Sequence, residues 1–530
     1  MSEWDVIVIG GGHNGLVAAN YLGRAGAHVL VLERRPMVGG AAITEETWPG
    51  FKINTFSYVA GLLRQEIVDE LELPKYGYRT ILYDPQYCMP FPDGRALKLW
   101  VDTDRAAKEI AKFSEKDART YPKYVEYWDR VLELIEPVML APPAPLAEMF
   151  QMFSTPETET VVRDLFLRSA QDLLDEWFES DELKAVLVPN AVIGTMCGPS
   201  TPGTAYVLAH HNVGNLDGHK QVWGFSVGGM GGITQALARA AVANGVQIRT
   251  GVGVKNLVVR DGTVTGVETT SGETISSRMV ASNADAQTTF LKLAPPGSLP
   301  VEFEKEVRGI RSRGAALKFN AALSALPEFT ADPGAPSDAH RSTVDIAPSL
   351  AYLERGYRDA MEGRFSTQPF IEMLFQSALD PSVAPPGKHT LTCFVQYAPT
   401  ELRGTDWDSY KATAAERVLD TIEEYAPTIR KVVEHWQLIS PKDIENTLGM
   451  TGGNIFQGDI TPDQILSFRP VPGWVQYRTP LPGLYLCGSA AHPGGGVTGA
   501  AGHNAAQIIL EDWRRPSGTP PPVPSPGSVR

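Results

Sequence analysis

The chain opens on an apolar run, Trp4-Asp5-Val6-Ile7-Val8-Ile9, which is cut short by Gly10-Gly11-Gly12-His13-Asn14-Gly15. A run of that length, bounded by glycines, predicts a strand buried on both faces rather than a helix. Helix-forming residues follow from Leu16 to Ala25, and His28 to Leu32 gives a second apolar strand that closes on Glu33. The opening segment therefore predicts a βαβ unit with a right-handed crossover and a parallel sheet. Farther on, Gly232 to Asn244 has helical character. Asp261-Gly262 and Ser271-Gly272 are hairpin turn pairs between the β runs Asn256 to Arg260, Val264 to Thr270 and Glu273 to Ser282. The last unit is a strand from Gly483 to Cys487, a glycine-rich loop, and a helix from about Thr498 to Trp513.

Three separated pieces of this kind predict an α/β fold whose nucleotide-binding, Rossmann-type domain is assembled discontinuously from 1–75, 221–290 and 446–515. The insertions 76–220 and 291–445 would then form an α+β substrate or lid domain with a mixed or antiparallel sheet and helices. Such a division suits a chain of 530 residues. Pro137, Pro142, Pro143 and Pro145 interrupt an amphipathic helical pattern, consistent with a lid or with a kinked surface helix. The tail 516–530 is rich in Pro, Ser and Gly and is expected to be disordered.

Composition narrows the partners. With a formal charge of -14 and no basic cluster beyond pairs such as Arg34-Arg35, no nucleic-acid partner is expected. Four scattered cysteines, Cys88, Cys197, Cys393 and Cys487, include no Cys-x-x-Cys pair, so neither a disulfide framework nor a dithiol relay is expected. That usage, with a strand starting almost at Met1, predicts a reducing, cytoplasmic location. No apolar window is long enough to span a bilayer, so any membrane contact is peripheral. A homo-oligomer is compatible with the sequence.

The chemistry concentrates in two glycine-rich turns. Gly10-x-Gly12-x-x-Gly15 follows a strand and opens a helix, the context in which this spacing cradles a pyrophosphate. Gly10 makes the turn, Gly12 lets the main chain approach the phosphates, and Gly15 lets helix and strand pack closely, with His13 and Asn14 between them. Glu33, next to Arg34, ends the second strand where an acid accepts hydrogen bonds from a ribose diol. This motif alone does not separate NAD from FAD. The second turn, Gly488-Ser489 through Gly494-Gly495-Gly496-Val497-Thr498-Gly499, has the glycine content of a loop against a ligand. Gly228-Gly229-Met230-Gly231-Gly232 is not a second fingerprint, because Thr234 takes the third glycine's place. His210-His211 are adjacent and cannot both face one metal from a regular element, so no metal is expected.

Glu33, five residues, then Gly39-Gly40-Ala41 resembles the extended N-terminal signature of the amine oxidase and phytoene desaturase flavoproteins. In that superfamily, whose two-domain build is p-hydroxybenzoate-hydroxylase-like, the glycine pair lies against the FAD pyrophosphate and ribityl chain. Ala41 stands where many amine oxidases have arginine, which leans away from amine oxidation. Three stretches point to one subgroup: Val38 to Glu46 with Pro49 to Lys52, Gly452 to Phe456 with Asp463-Gln464 and Arg469 to Pro472, and His492 to Gly499. They are most similar to the family of pyridine nucleotide-disulphide oxidoreductase domain-containing protein 2, among the carotenoid ketolase and phytoene desaturase relatives.

The resemblance implies non-covalent FAD accepting a hydride from a small apolar substrate, isoprenoid or polyene, with oxygen or a quinone as acceptor. A redox-neutral isomerase and a flavoprotein that binds or regulates a partner remain alternatives, with amine oxidation behind them. It also implies that the 494–499 helix start stabilises charge on a reduced flavin, and that Val254 holds the adenine through its backbone; a core strand residue is the alternative for Val254. Lys318 is read either as a lysine near flavin N5, through a water, or as a strand lysine facing solvent. His492 is read as a proton carrier or as a loop hydrogen-bond donor.

Overall fold

The apolar opening run forms the strand Trp4–Ile9, at the centre of a seven-stranded sheet in the computed structural model, which describes residues 4–515. The tail 516–530 lies outside the described residues. Five strands run parallel in the order Gln247–Thr250, Val29–Glu33, Trp4–Ile9, Thr274–Ser282 and Leu484–Leu486. The strand Thr274–Ser282 serves twice. Its end pairs with the parallel strands, while Thr274 to Ser276 start an antiparallel ribbon with Thr263–Thr269 and Val254–Arg260. The turn residues Asp261, Gly262 and Gly272 all take positive φ, as their turn chemistry predicts.

Helices His13–Arg24, Gly231–Ala243 and Ala500–Trp513 bury their apolar residues in one core with this sheet. The last helix starts two residues later than its sequence suggests, because Gly499, at φ +75°, is left-handed and interrupts helical geometry. Helices His13–Arg24 and Ala500–Trp513 pack so closely that a Cβ on Gly502 would lie 2.0 Å from the Asn14 carbonyl oxygen.

A second seven-stranded sheet has the order Val433–Ile439, Gly314–Leu323, His389–Pro399, Phe370–Leu374, Thr343–Ile346, Tyr87–Pro90 and Ala96–Leu99. Only its Thr343–Ile346 and Tyr87–Pro90 pair is parallel. One face packs on helix Trp407–Glu423. The other meets the helical stretch between 103 and 212, where Trp128 is fully buried. The architecture is thus the α/β fold with a mixed second sheet that the patterning predicts. The prolines resolve into a long helix, Glu115–Met139, which carries Pro122 and Pro137 internally and stops at Leu140. Non-helical 141–145, with its three prolines, separates it from the short helix Leu146–Met152.

Gly502→Ala should therefore force the two helices apart and lower stability by about 1–3 kcal/mol, read by urea unfolding. Gly309→Ala, whose added methyl meets nothing within 4 Å, should stay within about 0.5 kcal/mol of the parent.

Candidate functional site

Ile9, Ser282 and Leu486 lie side by side in register, so Gly10, Asn283 and Cys487 leave the first sheet at one edge. Ligands of parallel sheets bind at such carboxyl ends. The sequence reading passes over Asn283, yet it organises this edge. Its Nδ2 donates to the Gly10 carbonyl at 3.2 Å, and a Cβ on Gly12 would stand 2.8 Å from that same nitrogen. Gly15 is held more tightly, since its Cβ would fall 2.3 Å from Gly10 O. A polar residue directly after a buried parallel strand is the one signal that could have found Asn283.

The cleft above these glycines is lined by Gly10, Gly12, His13, Gly40 and Ala41 on one side. Val254, Asn283 and Ser489 line it as well, with Glu33 and Arg34 at the end of the second strand. Glu33 is buried, and its two carboxylate oxygens accept from the amides of Gly11 and Arg35, both at 2.8 Å. A carboxylate has about four acceptor positions, so capacity for a ribose diol remains. Arg34 reaches across to donate to the Thr447 carbonyl, which closes the rim. Gly39 donates its amide to Gly11 O at 2.9 Å, bringing the Gly39-Gly40 turn against the first loop. Asn14 and Gly488 stand behind the wall: Asn14 Nδ2 donates to Ser489 Oγ at 3.2 Å, and a Gly488 Cβ would meet Asn283 O at 2.6 Å. Gln457, also missed, lines the cleft and accepts from the Ala490 amide at 2.9 Å. Thr498 is buried away from the cleft, where its carbonyl accepts from the Arg64 amide.

The residues present fit a dinucleotide. The cleft is walled by main chain that no side chain could replace, and helix His13–Arg24 has no side-chain cap, so its first amides remain available to phosphate. His13 Nε2, buried at the inner end, has no hydrogen-bond partner. Burial lowers the His13 pKa to about 4, so the ring is neutral at ordinary pH.

His13, Ala41 and Ile455 also line a second cavity, which continues inward between the two sheets. Gly496 and Val497 of the C-terminal loop form part of its wall, and Leu62, Ile193, Trp223 and Phe456 make it largely apolar. The second sheet contributes something the sequence does not announce. Lys318 is opposite Phe394, Phe394 opposite Glu372, and Glu372 opposite Asp345. Directly opposed residues share a face, and the alternate residues Leu317, Cys393, Ile371 and Val344 belong to the core on the other side. Tyr58 lies on this row. Its ring stacks on Phe394, 5.3 Å between centroids, Lys318 Nζ sits 4.1 Å from its centroid, and its hydroxyl lies beside the Glu372 carboxyl.

Lys318 is 2% exposed, which overturns the solvent-facing reading; the helical stretch over that face of the sheet excludes water. Burial drives its pKa down to about 7, and drives Glu372 up to about 7 against the opposing pull of the Tyr58 hydroxyl and the Lys318 charge. Burial, and after it the adjacent Glu372, raise Asp345 well above the usual carboxylate range. Among the described residues, no group of three or more His, Cys, Asp or Glu could hold a metal.

His492 lies apart from this row, in the wall of a separate apolar space under helix Glu115–Met139. Its Nε2 is 2.9 Å from the Val138 carbonyl, and burial lowers its pKa to about 4. His210 bonds the Gly495 carbonyl and His211 the Val207 carbonyl, each at 2.9 Å.

A lysine that titrates near 7 in the fold and near 10.5 when unfolded leaves the unfolded chain binding more protons between those values, so its cost is full below pH 7 and fades toward pH 10.5. Lys318→Met should raise unfolding stability at pH 7 by about 1–4 kcal/mol. The gain should shrink at about pH 9.5, and urea titrations at the two pH values check it.

The profile of the flavin containing amine oxidoreductases matches residues 15–510. Pyridine nucleotide-disulfide oxidoreductase domain-containing protein 2 of Rattus norvegicus is 41% identical, over 97% of this chain and 94% of the rat protein. A limonene dehydrogenase subunit of Castellaniella defragrans is 26% identical, over 97% of this chain and 95% of its own. Among solved structures, an oxidoreductase from Methanosarcina mazei shares the fold at a TM-score of 0.60 and 17% identity, covering 96% of this chain and all of its own. The word disulfide in the rat protein's name has no counterpart here, since all four cysteines are buried and free. With the glycine-walled cleft at the strand ends, these matches show that the chain belongs to the flavin containing amine oxidoreductase family and is a flavin-dependent oxidoreductase.

Proposed function

We propose that the protein binds FAD without a covalent link and removes a hydride from an uncharged, largely apolar substrate of isoprenoid type. The observation that carries this reading is the continuity of the glycine-walled cleft with the apolar cavity through His13, Ala41 and Ile455. Glu33 and Val254 would take the adenosine end, the first helix amides the pyrophosphate, and Ala41, Gly496 and Val497 the flavin ring. FAD, when bound, supplies a hydride acceptor that oxygen or a quinone can regenerate.

The chain's own groups orient and desolvate. Leu62, Trp223 and Phe456 offer an apolar body nonpolar contact and keep water out. A cationic amine would meet one carboxyl in this wall, Glu372, which already faces Lys318. That electrostatic balance, with Ala41, favours a neutral substrate over an amine. The relative named as a limonene dehydrogenase subunit is in keeping with an isoprenoid. The buried free thiols suit a reducing compartment such as the cytoplasm, and no helix among the described residues is long and apolar enough to cross a membrane.

A redox-neutral isomerisation has one specific observation in its favour: Tyr58 and Glu372 place exchangeable protons in the same wall.

Anaerobic addition of isoprenoid alkenes and alcohols to the FAD-loaded protein should bleach the oxidised-flavin absorbance, while primary amines leave it unchanged. Bleaching by amines alone, or by nothing in such a panel, contradicts the reading.

A further inference from the structure

The row on the second sheet is not accounted for by packing. Lys318 Nζ and both carboxyl oxygens of Asp345 have no hydrogen-bond partner, although the two residues are 2% and 1% exposed. Each carries the desolvation cost of a buried polar group without a hydrogen bond to offset it. Three ionisable residues on one row of such a core would be replaced without loss by apolar ones if they served only the fold.

Glu372 and Tyr58 are the polar members of this cluster that form part of the cavity wall, beside Phe394. The other polar groups beside them are already engaged: the Tyr83 and Thr343 hydroxyls pair at 2.8 Å, and Asn190 donates to the Tyr87 hydroxyl at 2.7 Å. Besides the unpartnered His13 Nε2 and His211 Nε2 of the same lining, open hydrogen-bonding capacity belongs to the Glu372 carboxyl, the one of these sites backed by further unpartnered ionisable groups, Lys318 and Asp345. The sign of a fitting ligand follows from its neighbours. A cation would lie near Lys318, and an anion would lie against the Glu372 carboxyl. A neutral group that can both accept and donate avoids both penalties.

We propose that Glu372 and Tyr58 form a polar subsite that holds a neutral oxygen function, a hydroxyl or a carbonyl, on an otherwise apolar substrate. This deepens the proposed function and rests on the cavity being the substrate chamber. The substrate class is then an oxygenated isoprenoid rather than a pure hydrocarbon. Burial pushes Glu372 up to about 7, so near neutrality the carboxyl is available both to donate to a carbonyl and to accept from a hydroxyl. Lys318 and Asp345 do not line the cavity; they act on the ligand through Glu372 and Tyr58, as positioning residues.

The test compares geraniol with the same hydrocarbon lacking its oxygen. Both are titrated calorimetrically into FAD-loaded protein whose flavin is kept reduced with dithionite, so that neither ligand is consumed. The parent should bind geraniol at least about tenfold more tightly, the equivalent of one good hydrogen bond. Glu372→Met and Tyr58→Phe should each cut that ratio below about threefold by weakening geraniol alone, with hydrocarbon affinity unchanged. Tyr58→Phe removes a single oxygen and keeps the ring on Phe394, so it decides the matter should Glu372→Met fail to fold. Equal affinities in the parent, or a ratio that survives in Tyr58→Phe, overturn the subsite while leaving the apolar chamber standing. If neither probe binds, the chamber itself is refuted and the subsite with it.

Discussion

The structure depends on how closely main chain approaches main chain where three parallel strands end. Ile9, Ser282 and Leu486 share one register. The loops that leave these strands have to fit around the Asn283 side chain, with no room for a Cβ on Gly12 or Gly15. This single constraint sets the spacing of the first glycine motif. It also explains why remote parts of the chain converge: Asn14 bonds Ser489, and the last helix sits on Asn14 through Gly502. The cleft left above that edge has amides on one side and a carboxylate at its end. That combination suits phosphate and ribose.

A second constraint acts across the cavity. The second sheet is buried on both faces, so a charge placed on it pays full desolvation unless something else meets it. Lys318, Glu372 and Asp345 fall on one row because their strands are antiparallel and in register, and Tyr58 ties the row to the N-terminal segment. Shifting any one strand by a residue would turn its member of the row into the opposite core. The fold thus joins a main-chain cleft, through His13, Ala41 and Ile455, to a cavity whose wall is backed by poorly satisfied side chains, the arrangement expected where a cofactor and a substrate meet.

How much of this is legible in the sequence depends on the kind of contact involved. Close main-chain approach demands glycine, so Gly10, Gly12, Gly15, Gly39 and Gly40 stand out by spacing, and Glu33 is found by its distance from them. Asn283 and Gln457 leave no such mark, being single polar residues after a strand and in a loop. The row on the second sheet is invisible for a different reason: Lys318, Asp345 and Glu372 each read as a lone charge in an apolar run, and only cross-strand register makes them neighbours. Lys318 reads equally well as solvent-facing because the helices that cover it come from a distant part of the chain, between 103 and 212. His492, adjacent in sequence to the glycine loop, proves to face a different apolar space, since a loop that turns at each glycine does not keep successive side chains in one cavity.

In the proposed function the glycine-walled cleft grips the adenosine and pyrophosphate of a flavin dinucleotide, so that the ring alone is a poor ligand. Fluorescence titration of the flavin-free protein with FAD and with FMN, which lacks the adenosine half, tests this directly. Affinity for FAD is expected to be at least about a hundredfold above that for FMN, near 2.7 kcal/mol. Equal affinity for the two, or no binding of FAD, would contradict it.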